Sequence, residues 1–186
     1  MIEVAADVGL GLDHGVVRLA RTTPAWIATG EQLREHVAAE LVGLVAAVEL
    51  IGSSSVPDLL AKPIVDLAVG LTTGQELVPV RAVLEHDRWI YRGDAGEHGG
   101  HVFVYDTRPL HRVAHLHVVE HEGRQWRHYL QLRDLLRTSA NARAEYESVK
   151  LELHRLVGDD RMAYTDGKTD VIDRLLASTN DRRHTG

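Results

Sequence analysis

The chain contains no cysteine. That excludes disulfides, a thiolate metal site and a cysteine nucleophile, and with them several enzyme classes. It also lacks any run near the roughly 18 apolar residues of a membrane span, and its start, MIEVAADVGLGLDHG, carries acids where a secretory signal needs a basic segment. The expectation is a cytoplasmic protein without a membrane partner. Lysine is almost missing: of 21 basic residues only Lys62, Lys150 and Lys168 are lysines. In an arginine-rich chain such lysines are either stragglers of codon usage or positions that need a compact ammonium rather than a guanidinium fork. An excess of positive charge is absent as well. A net charge of −6 gives no general attraction to nucleic acid, so a polyanionic ligand needs a local basic patch. The 12 histidines make that charge sensitive to mild acid.

What is present is enough for a real core. A chain of 186 residues that is 44% hydrophobic and 26% charged buries a sizeable interior. Residues 1–16 have weak periodicity and read as an N-terminal extension. VVRLA (16–20) is a candidate edge strand. EQLREHVAAELVGLVAAV (31–48) sets Leu33, Val37, Leu41, Leu44 and Val45 at helical spacing, which predicts an amphipathic helix. VELIG, PIVDLAVGL, WIYRG, HVFVYD and VAHLHVVEH read as strands, and QELVPVRAVLEHD reads as a helix with Pro79 near its first turn. From Gln125 the pattern becomes helical, with three helices predicted over roughly 125–138, 140–157 and 160–177 and a frayed polar tail over 178–186. The expected fold is α+β: a mixed sheet of about five strands with flanking helices over 17–124, and a C-terminal three-helix segment, 125–177, packed on it.

Four places carry possible chemistry. Asp66 interrupts an otherwise apolar strand, where an unpaired acid is costly. It is either paired with Lys62 or an arginine, or it is functional. Gly52 to Ser55 form a small, polar connection that serves either as a simple turn or as an anion cradle. His115 and His117 share one strand face, opposite Leu116 and Val118. The turn-rich stretch YRGDAGEHGG offers Arg92 and Asp94 to a ligand. On the helices, Tyr146 with Lys150 and Tyr164 with Lys168 are both spaced i, i+4, which puts each phenol beside an ammonium.

IGSSSVPDLLAKPIVDL, WIYRGDAGEHGGHVFV, HLHVVE followed by QWRHYLQLRDLLR, and the paired EYESVK and AYTDGK resemble, in the same order, segments of the GrpB family, a bacterial group with a polymerase-β-like nucleotidyltransferase fold. The resemblance spans roughly residues 17–177. It implies that Gly52, Ser53 and Ser54 open a loop and helix that hold phosphates. It implies that Asp66 is the first metal-binding carboxylate, with Mg²⁺ or another divalent metal as cofactor and ATP or another nucleotide as the small-molecule substrate. Lys62, Arg133, Lys150, Tyr164 and Lys168 then form a basic wall for phosphate, and Asp66, Ser53 and His117 are the catalytic candidates, His117 as a base. Members with two-metal chemistry carry a second acid two residues after the first, and here that position is Ala68. Leu50, Asp58 and the TTPAW stretch also depart from the family's pattern. Two readings follow from the alanine. The protein is a nucleotidyltransferase-like transferase or a catalytically silent nucleotide binder, and between them stands a single-metal enzyme in which Asp66, His115 and His117 hold one ion.

Overall fold

The computed structural model of the chain describes residues 7–96 and 100–183. Residues 1–6 of the expected extension, 97–99 of the turn-rich stretch and 184–186 of the expected tail lie outside the described residues.

Helix α1 (Pro24–Glu40) begins where Thr23 caps it, its side chain accepting from the Trp26 N–H, with Pro24 in the first turn. The helix therefore starts earlier than the predicted Glu31 and stops well before Val48. Beyond Leu41 the chain turns through Gly43, whose φ of 77° suits a residue without a Cβ. Ala47 and Val48 then belong to a strand, because pairing with Gly70 and Val69 satisfies their backbone better than another helical turn.

The main sheet has six strands. Strand β1 is Leu12–Asp13, β3 Ala47–Ile51, β5 Val65–Leu71, β6 Ile90–Asp94, β7 His101–Arg108 and β8 His111–Glu120. Their order is β3-β5-β8-β7-β6, with β1 pairing the start of β8. The β5–β8 pair is parallel and the others are antiparallel, so the sheet is mixed as expected. Strand β5 lies between β3 and β8, which explains its almost continuous apolar run. The N-terminal stretch contributes more than its weak periodicity suggested: Leu10 and Leu12 are buried, and the Gly11 N–H donates to the Pro63 carbonyl at 2.7 Å. VVRLA yields only β2 (Ala20–Arg21), which pairs with β4 (Leu60–Ala61) in a separate two-stranded ladder.

One face of the sheet carries Leu50, Val65, Leu67, Val69, Leu116 and Val118. It packs against α1 and α2 (Leu77–His86) through Trp26, Leu33, Val37, Val80 and Leu84. The other face carries Ile51, Ala68 and Val119 under Trp126 of α3 (Arg124–Thr138). Helices α4 (Ala140–Val157), α5 (Arg161–Asp166) and α6 (Thr169–Arg183) follow. The expected third C-terminal helix is thus two helices broken at Gly167–Lys168, and helix continues past 178 to Arg183. Leu136, Ala142, Tyr146, Val171 and Leu175 form a second core that also includes Val56 and Leu59. Among the described residues no helix is long and apolar enough to cross a membrane.

Candidate functional site

Strand register decides which side chains meet. Asp66 lies opposite His115, and Ala68 opposite His117, in the parallel β5–β8 pair. All four point to the α3 side, because residues two apart share a face. Across the other edge of β5, Ile51 lies opposite Asp66 and Glu49 opposite Ala68.

The Asp66 side chain, 29% exposed, meets His115: Oδ1 is 3.0 Å from Nδ1. Burial alone works to raise the Asp66 pKa. The His115 hydrogen bond and the nearby His115, His117 and Lys62 charges outweigh it and hold the carboxyl below the usual range. At neutral pH the carboxylate is ionised, so the imidazole N–H donates to it. The partner anticipated from the sequence was Lys62 or an arginine; the structure supplies a histidine.

Gly52 follows β3 and has φ 72° and ψ −177°, a region essentially closed to other residues. A Cβ there would sit 2.5 Å from Asp66 Oδ2. Gly52 is therefore glycine for two reasons, the backbone turn and the close approach of the acid. Ser53–Ser55 form a single 3-10 turn rather than the phosphate-binding helix that the motif implied, so no long helix dipole points into the site. The turn is fixed from behind: Ser55 Oγ donates to the Gly52 carbonyl at 2.7 Å, and Arg137 of α3 donates to the Ser55 carbonyl at 3.0 Å.

A cavity of about 770 Å³ opens over this face. Gly52, Ser53, Ser54, Asp66, His115 and His117 form its floor, α3 gives Gln125, His128, Tyr129 and Leu132, and Lys62, Tyr146, Lys150, Tyr164 and Lys168 complete the lining. All three lysines of the chain line this one cavity. They interleave with phenols: Lys62 and Lys168 lie 5.2 and 5.1 Å from the Tyr164 ring, and Lys150 lies 5.0 Å from that of Tyr146. Lys150 is only 2% exposed and donates to the Leu60 carbonyl. Burial pushes it down to about 7, and Lys168 and Lys62 push the same way against Glu147 and Asp66. The Tyr164 hydroxyl and Ser54 Oγ are buried without a hydrogen-bond partner among the described residues, and both residues line the cavity. Burial drives the Tyr164 pKa up, so its hydroxyl stays a donor. Unsatisfied donors on a cavity wall are places where a ligand's oxygens are welcome.

Three expected binding residues lie elsewhere. Arg133 is bound to Glu49 at 2.7 Å, to the Leu50 carbonyl and to Asp134, so it ties α3 to β3 instead of facing the cavity. Arg133→Met is expected to lower stability by about 1 kcal/mol and leave ligand affinity unchanged, which urea unfolding and titration calorimetry check together. Arg92 and Asp94 are exposed on β6, away from the cavity, and Asp94 caps the Gly96 N–H. Tyr129 was not picked out as a site residue, and Tyr146 only as the helical partner of Lys150. The spacing Gln125, Tyr129, Leu132 on α3 is a helical stripe that could have found the first. Burial holds the Tyr129 pKa up to about 12, against the Gln125 hydrogen bond and reinforced by the Asp66 charge.

The metal expectation does not fit this donor set. Among the described residues no three His, Asp or Glu side chains converge as a metal-binding group. Asp66 is engaged by His115, the second-acid position is Ala68, and Glu49 beside it is occupied by Arg133. A two-metal centre needs several free anionic oxygens, and this floor offers one carboxylate.

The family model described as GrpB protein matches residues 16–178. A UPF0157 protein of Streptomyces coelicolor is 35% identical over 136 residues, covering 72% of this chain and 68% of that one. The crystal structure of the conserved protein GrpB from Enterococcus faecalis superposes with a TM-score of 0.72 at 26% identity, covering 87% of this chain and 99% of that one. A chain of the GLD-2/RNP-8 complex superposes with a TM-score of 0.51 at 10% identity, over 82% of this chain and 58% of that one. That likeness concerns the fold alone.

Proposed function

This chain belongs to the GrpB family, and on that premise we propose that its cavity binds a nucleotide or a closely similar phosphorylated small molecule. The observation that carries this reading is the convergence of the chain's three lysines on one cavity that Gly52, Ser53 and Asp66 also line. Ammonium groups suit phosphate as point charges, and the buried hydroxyls of Tyr164 and Ser54 add donors. Ile51, Leu132, Ile172 and Tyr129 line the rest of the cavity, where an apolar or aromatic group would be sheltered. Phosphates thus lie against the lysine wall and the Gly52–Ser54 turn, and a base or similar ring lies toward α3.

A transfer reaction is the second reading, favoured by the placement of Asp66, His115 and His117 in the same cavity. An imidazole held by a carboxylate is a usable proton acceptor for a ligand hydroxyl. Asp66 is the one carboxylate that the cavity floor offers, and this makes binding the stronger reading.

Calorimetric titration with ATP, ADP and AMP tests it. Affinity is expected to fall in that order, and Lys168→Met is expected to weaken ATP binding by about 10- to 100-fold, the weight of one charge-assisted hydrogen bond. Equal affinities for the three nucleotides, or no binding of any, would overturn the proposal.

A further inference from the structure

We propose that this cavity takes its polyphosphate ligand free of divalent metal, the three lysine ammonium groups neutralising the charge that metal ions would otherwise neutralise. The inference rests on the function proposed above and concerns the ionic form of the ligand.

The floor is poor in free metal ligands for specific reasons. Of the face formed by β3, β5 and β8 the acids are Asp66 and Glu49. Asp66 Oδ1 is taken by His115, while Oδ2 lies against Gly52, close enough that a Cβ there would stand 2.5 Å away. Glu49, opposite Ala68, is 2.7 Å from the Arg133 guanidinium. Where a second and third acid would stand, the strands present Ala68, His115 and His117. Two more acids line the cavity, Asp166 and Asp173, but both are exposed on α5 and α6, and they do not form a metal-binding group with Asp66.

The cations are where the metals are not served. Lys62 bears on Asp66 electrostatically, and Lys168 and Lys62 stand close enough to Lys150 to disfavour its charge in the empty cavity. Among the described residues Lys150 bonds a carbonyl and Lys168 lies over a phenol ring, and neither is in an ion pair. A hard dication entering this field is repelled by the lysine cluster and finds Asp66 as the one carboxylate on the floor, with Asp166 and Asp173 at the exposed margin. A polyphosphate that carries Mg²⁺ has also lost two negative charges, so it gains less from the lysine wall. Free polyphosphate meets fixed positive charge with no metal to desolvate.

The wild-type protein titrated with ATP and with inorganic tripolyphosphate, each in EDTA and in saturating Mg²⁺, tests this. Binding in EDTA is expected to be about tenfold tighter than in Mg²⁺ for both ligands. Equal or tighter binding in Mg²⁺ overturns the inference and leaves the proposed function standing. No binding of either ligand in either buffer overturns the proposed function and the inference with it. Tripolyphosphate binding as tightly as ATP supports the lysine-wall account and assigns the affinity to the phosphates rather than the base.

Discussion

Lys150→Met is expected to raise the stability of the unliganded protein by about 3 to 4 kcal/mol at pH 6 to 7 while weakening polyphosphate binding by 10-fold or more. Burial is the main reason Lys150 titrates near 7, with Lys168 and Lys62 adding repulsion. In the unfolded chain the same amine titrates near its ordinary 10.5. Between those values the unfolded state binds more protons, so stability rises with pH from about 7 to 10.5 and the penalty is complete below 7. That penalty is worth about 4 to 5 kcal/mol at full expression, from which the lost hydrogen bond to the Leu60 carbonyl subtracts about 1. Methionine keeps the stem's packing against Tyr146 and removes the charge. Urea unfolding of both proteins from pH 6 to pH 10 reads the result: the variant leads at low pH and the gap closes as the solution becomes alkaline. A variant less stable at every pH would mean that the ammonium is a structural contact. The same linkage acts on binding. An anion beside Lys150 restores its proton, so affinity falls as pH rises past about 7, and calorimetry in buffers of different ionisation heat detects proton uptake.

Gly52→Ala carries the second large effect, an expected loss of about 3 kcal/mol together with most of the ligand affinity. Its φ of 72° with ψ near 180° costs a non-glycine residue about 1 to 3 kcal/mol. The added methyl would also press on Asp66, 2.5 Å from Oδ2 and 3.0 Å from Cβ, so either the acid or the turn must shift. Two consequences separate these contributions. In an Asp66→Ala background the carboxylate contact is gone but the backbone strain remains, so Gly52→Ala should cost less there without becoming free. The His115 side chain, deprived of its partner in Asp66→Ala, is a shared change that the cycle subtracts. An unchanged urea midpoint for Gly52→Ala in the wild-type background would remove the steric account of the Gly-Ser motif.

These expectations depend on residues of very different legibility. Asp66 was visible because one acid in an apolar strand violates a local rule, and local rules are what a sequence displays. The lysines stood out by scarcity, and the i, i+4 pairing with Tyr146 and Tyr164 survives in the structure as two ammonium–ring contacts. Arg133 misled for the same reason that the lysines succeeded: a basic residue on a helix next to a candidate phosphate loop looks alike whether it faces inward or not. Its actual partner, Glu49, is 84 positions away, a distance over which spacing carries no information.

What the sequence by itself determined is what repeats at short range: most strands and helices, the mixed sheet with a helical C-terminal part, the strand face shared by His115 and His117, and the family. Tertiary structure alone decided the rest. That β5 and β8 pair in parallel, Asp66 against His115 rather than one residue off, follows from backbone hydrogen bonding between strands far apart in the chain, and it converts a lone acid into a hydrogen-bonded pair. The helix predicted over 31–48 ended early because Ala47 and Val48 were claimed by Val69 and Gly70, and Leu12 entered the sheet because β8 offered an open edge beside it. Periodicity measures how side chains alternate within a segment. Which segment meets which, and therefore which acid is free and which cation faces the cavity, is settled only when all the backbone donors and apolar faces are satisfied at once.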